Sequence, residues 1–90
     1  MIYEYPAIIK YERQDGVYYV DFPDIEGCFT DGASLYEALY NAQDALKTML
    51  TYYEESGYSL PQPSNINLIT PEANAIATTI RTETQSRIAV

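Results

Sequence analysis

From Ile2 to Glu12 the chain alternates in the two-residue rhythm of a strand. Tyr3, Tyr5, Ala7, Ile9 and Tyr11 fall on one side, and Ile2, Glu4, Pro6, Ile8, Lys10 and Glu12 on the other. Pro6 has no N–H to give a ladder, so the strand is expected to meet an unpaired edge or a bulge there. Arg13-Gln14-Asp15-Gly16 then sets an Asp-Gly pair, tolerant of positive φ, between two such runs and predicts a hairpin. Val17 to Phe22 returns, with Val17, Tyr19 and Asp21 on one face and Tyr18, Val20 and Phe22 on the other. Pro23 to Gly27 breaks the alternation and reads as a loop, Cys28-Phe29-Thr30 as a short third strand, and Asp31-Gly32-Ala33 as a turn out of it.

The rhythm then lengthens to three and four. Leu35, Ala38, Leu39, Ala42, Leu46, Met49, Leu50 and Tyr53 form one apolar stripe and predict a helix over 35–55. Ser34 with Glu37 makes a capping box at its start, Gly57 ends it, and Pro61 and Pro63 prevent a restart. Ser59 to Asn67 is a polar connector, with a brief extended piece expected at Ile66 to Ile69. Alternation resumes over 75–83, where Ile76, Thr78, Ile80 and Thr82 oppose Ala75, Ala77, Thr79 and Arg81. This is read as the fourth strand, with a short helix starting at Pro71-Glu72 as the competing assignment.

The order strand, strand, strand, helix, strand gives an α+β fold: a small, mainly antiparallel sheet with one long helix on one face. Ninety residues hold a single core. Residues 1–83 are therefore read as one domain and 84–90 as a C-terminal tail.

Charge narrows the function. Thirteen Asp+Glu against five Lys+Arg leave a net −8, too acidic for the basic patch that direct nucleic acid binding requires, but suited to a basic protein partner. No apolar run is long enough to cross a bilayer, no basic-then-apolar leader opens the chain, and one cysteine cannot form an internal disulfide. A cytoplasmic location without membrane association is the expectation. Ten tyrosines exceed what one helix can cover, so an uncovered face or edge is expected to mediate self-association or partner binding.

Candidate chemistry is sparse. There is no histidine, and Cys28 beside Phe29 in a predicted strand reads as a buried, inert thiol. Asp21, Asp24, Glu26 and Asp31 could in principle gather divalent ions for phosphodiester cleavage. Three of them fall in turns, where acids serve local hydrogen bonding, and neither a metal nor a cofactor is expected.

One further pattern is specific. Tyr5-Pro6-Ala7-Ile8-Ile9 is followed by Asp15-Gly16, Tyr18, Val20, Phe22-Pro23-Asp24, Gly27-Cys28, Thr30, Gly32, Ser34, Glu37-Ala38, Asn41-Ala42 and Ala45-Leu46, and later by Leu60-Pro61, Pro63-Ser64. This run, over residues 3 to 82, resembles the HicB antitoxin family. The resemblance implies a partial RNase H-like fold without a working nuclease site, which neutralises HicA, a small basic ribonuclease of double-stranded-RNA-binding-domain fold, by covering its histidine-bearing active site. It also implies self-association. Family members commonly carry a DNA-binding domain after the last strand, and 84–90 is too short for one, so no direct DNA binding is expected of these residues. Asp21, Asp24, Glu26, Asp31, Tyr18 and Tyr19 are the candidate partner contacts. A metal-dependent RNase H-like nuclease and an oligomerisation module without a toxin are the alternative readings.

Overall fold

The computed structural model describes residues 1–84. Strand β1 spans Ile2–Glu12, β2 Val17–Asp21, β3 Phe29–Gly32 and β4 Ala75–Glu83, with helix α1, Leu35–Ser56, between β3 and β4. The sheet order is β3-β2-β1-β4, and every neighbouring pair is antiparallel. The competing helix at Pro71-Glu72 does not form, and β4 pairs with β1 from Lys10↔Ala75 to Ile2↔Glu83. The expected tail lies, from residue 85 on, outside the described residues. Thr84 is buried and exchanges both backbone bonds with Met1.

Local chemistry accounts for the joints. Gly16 takes φ 63° in the β1–β2 hairpin and donates to the Glu12 carbonyl at 2.8 Å. Pro6 sits opposite Thr79 of β4, while β2 reaches back only as far as Ile8↔Asp21. It thus occupies a stretch of β1 laddered on one side alone, where a missing N–H costs nothing. The Ser34 hydroxyl accepts from Glu37 N–H at 3.0 Å, and the Glu37 carboxylate accepts from Ala33 N–H at 3.0 Å. At the far end Gly57, φ 75°, closes the helix on the carbonyls of Glu54 and Tyr53.

In β3 and the connector, two details depart from the sequence pattern. Asp31 and Gly32 continue β3, paired with Tyr19 and Tyr18, and do not turn out of it. The reason is packing: a Cβ on Gly32 would stand 2.4 Å from the Ala38 backbone nitrogen, so this glycine lets the helix lie directly on the strand. Residues 66–68 form a single 3₁₀ turn in place of an extended piece, because the Asn65 side chain accepts from Asn67 N–H and folds the backbone locally.

Tyr5, Ala7, Ile9, Val20 and Ile80 on one sheet face pack with Ala38, Ala42, Leu46 and Leu50 of α1, and Phe22, Ile25 and Cys28 complete the core from the loop side. Leu35, placed on the stripe by periodicity, is exposed, because the helix meets the sheet a turn later, where Ala38 rests on Gly32. The sheet curls round the helix until both edges reach it. Asn41 donates to the Asp31 carbonyl on β3 and Gln43 to the Arg81 carbonyl on β4, each at 2.9 Å. The Tyr3 hydroxyl donates to Glu54 near the helix end and the Tyr5 hydroxyl to the Pro61 carbonyl in the connector, tying both to β1.

Candidate protein-interaction face

Because strand side chains alternate, the residues that do not meet α1 form the convex face of the curled sheet. The register brings four of them together: Tyr19 opposite Asp31, and Asp21 opposite Phe29. Two are large aromatics turned to solvent, Tyr19 at 40% and Phe29 at 70% exposure. Asp21 and Asp31 are exposed beside them, and among the described residues no cation lies within ion-pair distance of either. The Tyr19 hydroxyl donates to Asp15 at 3.0 Å, and this bond, followed by the Asp15 charge, raises the phenol above its ordinary range.

The connector returns over the same face. Thr70, Pro71 and Glu72 line a groove of about 490 Å³ with Ile8, Lys10, Tyr19, Asp21 and Phe29. Lys10 sits between Glu12, 3.3 Å away, and Glu72, 3.2 Å away, and the bonds to them push its ammonium pKa upward. Its charge is spent within the molecule. The surface offered outward therefore combines an apolar, aromatic centre with carboxylates at its rim.

The other sequence candidates lie elsewhere. Asp24 accepts from the Ser64 backbone N–H at 2.9 Å and from the Ser64 hydroxyl, pinning the connector to the loop after β2. Tyr18 is half-buried on the helix side, its ring 4.6 Å from that of Tyr11. Glu26 is exposed at the tip of the loop before β3. The structure thus gathers Tyr19, Asp21 and Asp31 and separates them from Asp24, Glu26 and Tyr18. Phe29 and Ile8 belong to the face but escaped the sequence reading. The signal for Phe29 was its alternation with Cys28, since a buried thiol puts its neighbour on the opposite side.

The face is built for contact. Cys28 is buried, and desolvation, followed by the nearby Asp21 charge, pushes its thiol up to about 11, so it stays protonated near neutrality. Among the described residues no three His, Cys, Asp or Glu side chains gather closely enough to hold a metal ion, and no helix is long and apolar enough to cross a membrane.

Comparison with known proteins bears on the family and the fold. Residues 5–84 match the family described as HicB_like antitoxin of bacterial toxin-antitoxin system. The chain is 42% identical over 56 residues to Antitoxin HicB 2 of Photorhabdus laumondii, an alignment covering 62% of this chain and 40% of that protein. It is 40% identical over 63 residues to Antitoxin HicB of Escherichia coli K12, covering 70% and 45%. It thus spans less than half the length of these curated relatives. A chain of a toxin-antitoxin complex from Streptococcus pneumoniae superposes with a TM-score of 0.86 at 26% identity, covering 100% of this chain and 78% of that one. With the β1β2β3α1β4 order and the spaced Gly, Pro and Thr positions in place, the chain belongs to the HicB-like antitoxin family of bacterial toxin-antitoxin systems.

Proposed function

We propose that this domain neutralises a small basic ribonuclease of the HicA type by covering its active site, acting through binding and not through chemistry of its own. The observation that carries this reading is the uncovered quartet of Tyr19, Asp21, Phe29 and Asp31 on the convex face. Aromatic side chains supply contact area at small entropic cost, and unpaired carboxylates around them select a cationic partner. The net charge of −8 steers that encounter and opposes direct contact with nucleic acid. Family membership gives the partner its type. Glu26, on the loop before β3, lies apart from the quartet, and Asp24 and Tyr18 serve by fixing the connector and the hairpin. The work is done in the cytoplasm, where such a toxin meets mRNA.

The test is inhibition, by this chain, of RNA cleavage by a purified HicA-type ribonuclease. Asp21→Lys with Asp31→Lys should weaken inhibition by roughly 100-fold, since like charges facing each other across an interface cost several kcal/mol. The wild-type association rate should fall as salt rises through the range where the screening length drops below about 10 Å. Unchanged inhibition by the folded double variant would move the contact to another surface.

A further inference from the structure

Strand β3 is an edge of the sheet, and one flank of α1 runs beside it. The Phe22 N–H donates to the Cys28 carbonyl at 3.1 Å, which fixes the phase of the β2–β3 ladder. Counting along the register from that pair, Thr30 and Gly32 direct their backbone groups at β2, and Phe29 and Asp31 direct theirs away from the sheet. Asn41 agrees, since it reaches the Asp31 carbonyl from outside the sheet. Further along the same flank Ala45 and Thr48 make no such bond. The Phe29 N–H, the Phe29 carbonyl and the Asp31 N–H therefore have no hydrogen-bond partner among the described residues. That flank also holds a groove of about 430 Å³, lined by Phe29, Ala45, Thr48, Met49 and Tyr52 and by no charged side chain. Phe29 borders the convex groove as well, so the edge joins two surfaces of different character.

We propose that the outer edge of β3 takes up an extended segment of the basic partner, antiparallel, as a further strand of the sheet. The inference rests on the toxin-binding reading above and adds a backbone contact to it. One partner residue, opposite Phe29, exchanges both backbone bonds with it, and the next but one accepts from the Asp31 N–H. Opposed residues project to the same face. Partner side chains opposite Phe29 and Asp31 thus stand on the convex side, beside Asp21 and Asp31, and the one opposite Cys28 stands over the uncharged groove. The segment that fits is one in which basic and apolar side chains alternate.

Charge and register both argue against a second copy of this chain at that edge. The one charge on β3 is Asp31, which repels an acidic strand and admits a basic one. With Thr30 on a two-fold axis, each Phe29 N–H points at an Asp31 carbonyl already held by Asn41, and Asp21 and Asp31 of both copies gather on one side. With Phe29 on the axis, the Asp31 N–H faces Gly27, whose φ of 77° takes the chain out of the strand. A cationic segment meets none of these obstacles, and the convex quartet is continuous with it through Phe29.

The experiment pairs the whole chain with a purified HicA-type ribonuclease and reads amide exchange and inhibition. The Phe29 and Asp31 amides, open in the free chain, should become protected in the complex. Phe29→Ala removes the ring and keeps the N–H, whereas Phe29→Pro removes both, at an edge position where the fold does not use that N–H. With a native circular dichroism spectrum for each, the proline variant should inhibit roughly tenfold less well than the alanine variant, the worth of one backbone hydrogen bond. Thr48→Lys, exposed on the helix, puts a cation in the groove and should weaken inhibition by about the same factor. Unprotected Phe29 and Asp31 amides in a complex that forms would overturn the proposal, whether or not the variants fold. So would equal inhibition by the two Phe29 variants together with an indifferent Thr48→Lys; loss of inhibition in Asp21→Lys with Asp31→Lys would then show that the convex contact stands and the edge alone is lost. A wild-type chain that does not inhibit the ribonuclease would remove the toxin-binding reading, and this inference with it.

Discussion

The two faces of this sheet are made from alternate residues of the same strands, and they obey different rules. On the concave face Tyr5, Ala7, Ile9, Val20 and Ile80 are held by α1 at close-packed distances, so shape decides what is tolerated. On the convex face Tyr19, Asp21, Phe29 and Asp31 are exposed, bordered by the connector and not covered by the helix, so charge and contact chemistry decide. A substitution should act on folding in the first case and on association in the second. Leu46→Asp breaks the concave face most severely. Leu46 is fully buried, and an unpaired carboxylate there costs several kcal/mol, most of what a domain of this size possesses. Its thermal melt by circular dichroism should lose cooperativity. Phe29→Asp, across the sheet, should stay within about 0.5 kcal/mol of wild type. Leu39→Asp should fall between them, since Leu39 is only partly buried.

Gly32→Ala sharpens the same contrast without introducing a charge. The added methyl would meet the Ala38 backbone, which no rotamer change can relieve, so the helix must lift off β3. Overpacking of this kind costs about 1–3 kcal/mol, a fall in melting temperature of roughly 4–8 °C for each. Ala33→Ser, one residue on and exposed, is the control and should leave the melt in place.

The same division explains what could be read from sequence. The concave face and α1 were legible because burial imposes periodicity: two-residue alternation for β1 and β2, and the three-four stripe from Ala38 to Tyr53. The hairpin at Asp15-Gly16 and the cap at Ser34 were legible because their residues solve local backbone problems. Gly32 was misplaced into a turn because glycine marks both a turn and a close approach, and nothing in one sequence separates the two. Tyr19, Asp21 and Asp31 were named but could not be told from Tyr18 and Asp24. That choice depends on which alternate face the helix covers and on a bond from Ser64, forty residues on.

A smaller effect is expected at the helix start. Ser34→Ala leaves the Glu37 N–H without its cap and should cost about 1 kcal/mol in urea unfolding. Ser34→Asp should recover most of it, because a carboxylate accepts the same bond and sits favourably at a helix N-terminus. Ser34 lies at the helix start and not on the convex face, so neither change should alter the contact proposed there.

Alkaline pH gives the smallest and most selective distinction. Three acids on the core side are held protonated by the fold: burial pushes the Cys28 thiol from 9.0 to about 11, burial with the Glu54 bond pushes the Tyr3 phenol from 10.0 to about 12, and burial raises the Tyr5 phenol above its ordinary value. In each case the folded state keeps its proton over a range where the unfolded state releases it. The slope of unfolding free energy with pH is therefore negative there. These groups leave stability unchanged below about pH 9; it falls first as unfolded Cys28 ionises, and falls further above pH 10 through Tyr3 and Tyr5. Urea titrations at successive pH values should show Cys28→Ala flattening the segment from 9 to 11 and Tyr3→Phe the segment from 10 to 12, whatever each does to stability at neutrality. Tyr19, raised mainly by its exposed bond to Asp15, should contribute little, since solvent screens that pair. If Tyr19→Phe flattened the alkaline slope as much as Tyr3→Phe, the convex face would be coupled to folding, and the separation between the two faces would fail.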